Sequence, residues 1–259
     1  MPDFELQTRV VASLFRGAAV TPDLFSIDPR AWRTDRFRAA RLAQAALEHL
    51  PVSATVLLSR EGAFEQLLKF CESGDFASVV EERAELVGSF AQYVRRLSVG
   101  WGLGPLLALD EALVDVGELQ EPEPIRQDRW RLSVFCSVID VPVATPEWHA
   151  ERFGRIQAAR GASLWERILS TASGGEVHAP ADTGDRVAVL VVRNGHGRAG
   201  TVETLSPEMG ELLRTLAVPR SIDELVGLFD GALTTADCAE ILQGLLDDGI
   251  VGRGGEGRT

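Results

Sequence analysis

Apolar side chains recur at three- and four-residue intervals through residues 1–117, the spacing of helices that bury one face. Leu6, Val10, Val11, Leu14 and Phe15 form the first stripe. A second runs from Arg30 to Leu50 through Phe37, Ala40, Leu42, Ala45 and Ala46, with Pro29 near its start and Pro51 ending it. Phe64, Leu67, Leu68 and Cys71 make a third stripe, and Leu86, Val87, Phe90, Tyr93, Val94 and Leu97 a fourth. Pro105 opens a fifth, with Leu106, Leu107, Leu109, Leu113 and Val114. The short polar turns between them predict a compact helical bundle.

The pattern then changes. Pro122 and Pro124 among acids mark residues 118–129 as a linker. From Trp130 the period becomes two, with Leu132, Val134, Cys136 and Val138 alternating against Arg131, Ser133, Phe135 and Ser137, which predicts one long strand. Trp148 to Trp165 reads as a mixed, partly helical connection, and Ser173 to Asp185 as a loop. Val187 to Arg193 is a β run. Asn194-Gly195-His196-Gly197 has hairpin-turn chemistry, and Gly200 to Leu205 is the return strand. Ser206-Pro207 is an N-cap with proline at N1, opening a helix that buries Met209, Leu212, Leu213 and Leu216. Ser221-Ile222-Asp223-Glu224 is a capping box for a second helix with Leu225, Val226 and Phe229. Thr234 or Thr235 caps a third helix carrying Ile241, Leu242, Leu245 and Leu246; Gly249 stops it and Ile250-Val251 closes the module.

The expected fold is therefore α+β. A helical bundle spans 1–117, and a winged-helix-like domain of antiparallel sheet plus three helices spans 130–259. A winged helix ordinarily suggests a third helix in the major groove of DNA. Charge argues otherwise. The whole chain carries a net charge of −12. Between Gly200 and Gly252 ten acids (Glu203, Glu208, Glu211, Asp223, Glu224, Asp230, Asp237, Glu240, Asp247, Asp248) face two bases, Arg214 and Arg220, a net of 2 − 10 = −8. The third helix has no Lys or Arg, and nucleic acid would be repelled. A peptide is the better occupant. It can add as a strand beside Thr201, Val202, Glu203 and Thr204 and rest against the third helix at Asp237, Ile241 and Gly244. The alternative is that this edge is packed by the chain's own helical domain.

These residues resemble a known family. Val189-Leu190-Val191-Val192-Arg193, a hairpin, then Leu205-Ser206-Pro207-Glu208 and a Leu-rich helix are similar to the partner proteins of multinuclear non-haem iron-dependent oxidases, including those of the 3-thiaglutamate and methanobactin pathways. The N-terminal half adds a helix running into Pro51, Gly62-Ala63-Phe64, and a helix with Phe90, Tyr93 and Leu97. Where the family carries Leu-Glu-Trp-Ala, this chain reads Leu109-Asp110-Glu111-Ala112, keeping the acid and losing the tryptophan. Pro142 and Trp148 match a Pro-then-Trp segment before the last module. The resemblance implies a non-catalytic subunit with a RiPP recognition element. It would form a heterodimer with the iron-bearing oxidase and present a ribosomally made precursor peptide for modification, with cysteine as the expected target. A winged-helix transcriptional regulator or a protein-interaction adaptor is the alternative.

Candidate chemistry within the chain is sparse. His49, His149, His178 and His196 are scattered, none at ligand spacing from another His or Cys; His149 with Glu147 and Glu151 is the nearest acid–histidine group. Gly100-Trp101-Gly102-Leu103-Gly104 lacks the Lys-Ser/Thr of a phosphate loop and reads as a turn. No catalytic residue, metal ligand or cofactor is expected in this chain. The three cysteines (Cys71, Cys136, Cys238) read as buried hydrophobes in a reducing cytoplasm. The start lacks a signal peptide and no apolar run reaches membrane-spanning length. One basic concentration remains, Arg30, Arg33, Arg36, Arg38 and Arg41 with Trp32. Arg30, Trp32, Arg33 and Arg36 are candidates for docking the partner subunit.

Overall fold

A computed structural model describes residues 29–81, 86–113, 128–193, 200–229 and 233–254, with the side chains of 29–36, 77, 78, 80 and 81 outside that description. The chain is α+β and divides into two units: the chain up to Glu111 with Trp148–Ala181, and Ala112–Glu147 with Asp182–Thr259. Residues 148–181, which sequence grouped with the C-terminal domain, thus belong with the N-terminal helices.

In the first unit, helix α1 spans Pro29–Glu48 and α2 spans Pro51–Leu58. Sequence periodicity treated Pro51 only as a stop. It is also the first residue of α2, where proline's missing N–H costs nothing. Val52 through Leu57 are all buried, Ser53 and Thr55 included. A helix covered on every side has no polar stripe, so its period is invisible. Helices α3 (Ala63–Leu68), α4 (Gly74–Glu81), α5 (Leu86–Leu97) and α6 (Gly104–Leu113) follow. Gly100 and Gly102 take φ of 88° and 68° in the turn between α5 and α6, which only glycine adopts without strain. Helix α7 (Thr145–Ala158) and α8 (Leu164–Ala172) fill the stretch that read as mixed. Ser163 and Glu166 form a full capping box for α8, which packs along α2. The rings of Phe76, Phe90 and Tyr93 surround Phe70 at 5.4, 5.1 and 5.5 Å.

A buried carboxylate organises this unit. Leu50 at the N-cap of α2 offers no side-chain oxygen to the helix's first N–H groups. Asp110 of α6 supplies one: its Oδ2 accepts the Ser53 N–H at 2.7 Å. Its Oδ1 lies 3.0 Å from His149 Nε2 of α7. Asp110 and His149 are 1% and 3% exposed, so the pair sits out of water.

The second unit is built on strands β1 (Trp130–Leu132), β2 (Cys136–Pro142), β3 (Arg186–Val192), β4 (Thr201–Thr204) and β5 (Val251–Arg253). The strand expected to run unbroken from Trp130 is two strands. The Cys136 N–H donates to the Ser133 carbonyl at 2.9 Å and closes a turn. Beyond it, β1 pairs with β5 and β2 with β3. The larger sheet is antiparallel, in the order β2-β3-β4. Helices α9 (Pro207–Thr215), α10 (Ile222–Leu228) and α11 (Thr235–Asp247) follow β4. Each starts at a capping side chain: Ser206, Ser221 and Thr234, the last two in complete capping boxes. Arg129 grips Glu224 through both guanidinium nitrogens, at 2.9 and 3.3 Å, and donates to the Pro219 carbonyl. Leu212, Leu213, Leu216, Leu225, Cys238 and Leu242 form the core with Trp130, Leu190 and Val251.

Two substitutions test these contacts. Asp110→Ala leaves the α2 N–H and His149 without their buried partner, and should cost about 3 kcal/mol in denaturant unfolding. At Gly210 of α9 an added Cβ would sit 2.6 Å from the Ala188 Cβ of β3. Gly210→Ala should therefore lower the melting temperature, its overpacking cost of about 1–3 kcal/mol exceeding the gain in helix propensity of about 1 kcal/mol.

Candidate functional site

The hydrogen-bond register decides which backbone groups the sheet leaves open. In an antiparallel ladder every second residue of a strand bonds a given neighbour. The Arg193 N–H donates to the Phe135 carbonyl, and the Leu205 N–H to the Ala188 carbonyl. With the β2–β3 and β3–β4 registers, odd residues of β3 bond β2 and even residues bond β4. Thr201 and Glu203 therefore turn their N–H and C=O groups toward β3. Val202 and Thr204 turn theirs away from it, to the outer side of β4. No described strand pairs on that side. Thr201, Glu203 and Thr204 are exposed and Val202 is half-buried.

A groove of about 490 Å³ lies on the helical side of the same unit. Met209 of α9 and Asp237, Glu240, Ile241, Gly244 and Leu245 of α11 line it, with Asp248 at the helix end. Ile241 and Leu245 fall four residues apart, so they share a face and give the groove an apolar floor. Glu240, Gly244 and Asp248 repeat the same spacing one residue earlier and form an exposed rim. At Gly244 an added Cβ would meet nothing within 4 Å.

Three of the sequence-predicted residues, Asp237, Ile241 and Gly244, come together in this groove. The other four, Thr201 to Thr204, form the edge strand and are not among its lining. Only residues 205–208 separate the end of β4 from Met209 in the chain. Sequence reasoning missed Glu240, Leu245 and Asp248 as lining and took Met209 for core. The i, i+4, i+8 run Glu240-Gly244-Asp248 was the available signal. The side chains of Arg30, Trp32, Arg33 and Arg36 lie outside the described residues, as does His196. His149 faces Asp110 and not Glu147 or Glu151.

Electrostatics in the groove are uneven. Asp237 is engaged: hydrogen bonds from the Thr234 hydroxyl, then from the Thr234 N–H, hold its carboxyl below the usual aspartate range. Glu240 and Asp248 have no ion-pair partner among the described residues. Cys71, Cys136 and Cys238 are buried and unpaired, and burial pushes each thiol up, Cys71 to about 11. Among the described residues there is no group of three or more His, Cys, Asp or Glu able to hold a metal ion. No helix there is long and apolar enough to cross a membrane. Compared with known proteins, the chain matches no protein-family model and no curated sequence.

Glycine inside a helix lowers its stability by about 1 kcal/mol relative to alanine. With open space at its Cβ, Gly244→Ala should raise the melting temperature, unlike Gly210→Ala. Thr234→Ala should cost about 1 kcal/mol and let the Asp237 carboxyl titrate closer to an ordinary aspartate in carboxyl-detected NMR. A carboxylate whose folded pKa is depressed stabilises above its unfolded pKa and loses that contribution as pH falls through the folded value. Asp237 and Glu224, the latter held down first by the Ser221 N–H, should both contribute acid sensitivity of that sign.

Proposed function

We propose that this chain is a non-catalytic peptide-recognition subunit: its second unit holds a ribosomally made precursor peptide and presents it to a multinuclear non-haem iron-dependent oxidase. The observation that carries the reading is the outer backbone of β4. Val202 and Thr204 direct donors and acceptors to a side where no described strand pairs, the condition for a peptide to add as a further strand. Backbone bonds of this kind give affinity without fixing sequence. In this reading a groove in the same unit, with an apolar floor and an acidic rim, supplies selectivity.

Other features agree with this reading. A three-stranded antiparallel sheet followed by three capped helices suits the winged-helix-like recognition element that the family resemblance implies. The acidic α11 opposes a nucleic-acid partner. In this role iron and oxidation chemistry belong to the oxidase, and the chain acts by tethering, which raises the local substrate concentration and fixes its register. The Arg-rich start of α1 is the proposed dock for the oxidase in a heterodimer. A cytoplasmic location accompanies the proposal, since unpaired cysteines suit a reducing compartment.

Val202→Pro tests the strand-addition step. The Val202 N–H faces away from β3, so proline leaves the β3–β4 ladder intact and removes a donor from the outer edge. On co-expression with an oxidase of that class from a neighbouring gene, where one is encoded, and that oxidase's precursor peptide, the wild-type chain should co-purify with both. Val202→Pro should retain the oxidase and lose the peptide. Absence of both partners from the wild-type preparation removes the proposal.

A further inference from the structure

We infer that the α11 groove reads an extended segment of the form basic–x–apolar–x–basic, with an aliphatic residue flanked two positions away on each side by Lys or Arg. The inference rests on the peptide-binding reading above and specifies the chemistry of the peptide.

The spacing comes from the helix itself. Glu240 and Asp248 stand eight residues apart on α11, roughly 12 Å along an axis that rises about 1.5 Å per residue. An extended chain rises about 3.3 Å per residue and returns to the same face every second residue. Positions four apart in such a chain are thus separated by roughly 13 Å and point the same way. Two basic side chains at that interval can reach both carboxylates at once. The residue midway between them faces the helix at Gly244, the open point of the rim. Its aliphatic side chain then has the floor of Met209, Ile241 and Leu245 to bury against.

Each part of the site answers to a different part of that segment. Gly244 has no Cβ to hold the peptide backbone off, although glycine weakens a helix at this position. Glu240 and Asp248 carry no cation of this chain among the described residues, so their charges are available to a partner. Asp237 binds its own N-cap through Oδ2 and lies one turn before Glu240, outside the Glu240–Asp248 span. An acidic or wholly apolar segment would leave the rim unneutralised, and a segment with adjacent lysines would engage one carboxylate only.

The test uses the full chain and a fluorescein-labelled Gly-Lys-Thr-Leu-Thr-Lys-Gly peptide, read by anisotropy at low and high salt. Expected are binding that weakens with salt and a loss of about five- to tenfold in affinity in each of Glu240→Lys and Asp248→Lys. The peptides with both lysines replaced by glutamate, or with the two lysines adjacent, should bind at least about tenfold more weakly. Gly244→Val should abolish binding. Gly244→Ala, which should fold more stably than the wild type, should weaken binding, so the loss cannot be assigned to unfolding. Equal affinity for the three peptides, or indifference to both charge reversals, overturns the inference. Dimerisation of the chain that either reversal breaks also overturns it, since a second copy would then be the occupant. If the co-expressed precursor is still captured in a Val202-dependent way when these reversals are indifferent, the motif fails and the peptide-recognition reading stands. If neither peptide nor precursor is captured, both fail.

Discussion

Strand β3 is bonded on both sides, and that double pairing sets the geometry of everything placed around it. Its odd residues are committed to β2 and its even residues to β4. Residues opposite one another share a face of the sheet, so Leu190 and Val192 carry Glu203 and Thr201 on the helix-facing side. Val189 and Val191 point to the other face and are as buried as Leu190. A strand covered on both faces must be apolar at consecutive positions, which is what Val187–Val192 provides. A slip of one residue would exchange the two faces along the whole strand and turn the Val202 and Thr204 backbone inward. The open edge of β4 is therefore a consequence of register.

Around that frame the helices of the second unit are started rather than merely packed. Three successive caps at Ser206, Ser221 and Thr234 fix where each helix begins, and hence which side of α11 meets Met209. The close approach of Gly210 to Ala188 brings α9 down onto β3. In the first unit, Asp110 does from another helix what an N-cap residue usually does locally. The bond to Ser53 N and the contact with His149 join α2, α6 and α7 through one carboxylate. Removing a partner from a buried arrangement leaves a charge or a donor out of water, so this contact matters more to stability than the exposed ion pairs of Arg186 with Asp182 or Arg214 with Asp140.

In the proposed role the groove and the edge would divide the work of recognition between them. Backbone bonds at an edge strand are indifferent to side chains, and apolar burial supplies free energy with little direction. Exposed carboxylates add little affinity each, yet like charge opposite them is penalised. An acidic rim on an apolar floor would therefore, in that role, select among peptides more than strengthen their binding.

Much was legible in sequence where the signal is local. The caps of α9 and α11, the α10 capping box, the β3 run and the glycine turn before α6 each depend on a few consecutive residues. The net charge of −8 across residues 200–252 needed no structure at all. Three of seven expected peptide contacts met in one groove because they lie on a single helix, whose periodicity is written in the chain. What sequence could not give depends on partners distant along the chain. The break between β1 and β2 follows from their pairing with β5 and β3. Helix α2 is buried all round and so lacks an amphipathic period. Asp110 and His149, far apart in sequence, meet only through the packing of α6 and α7. Local hydrogen bonding and side-chain spacing determined the elements; long-range pairing and burial, which the order of residues encodes only collectively, decided which edge stayed open and which side chains share a groove.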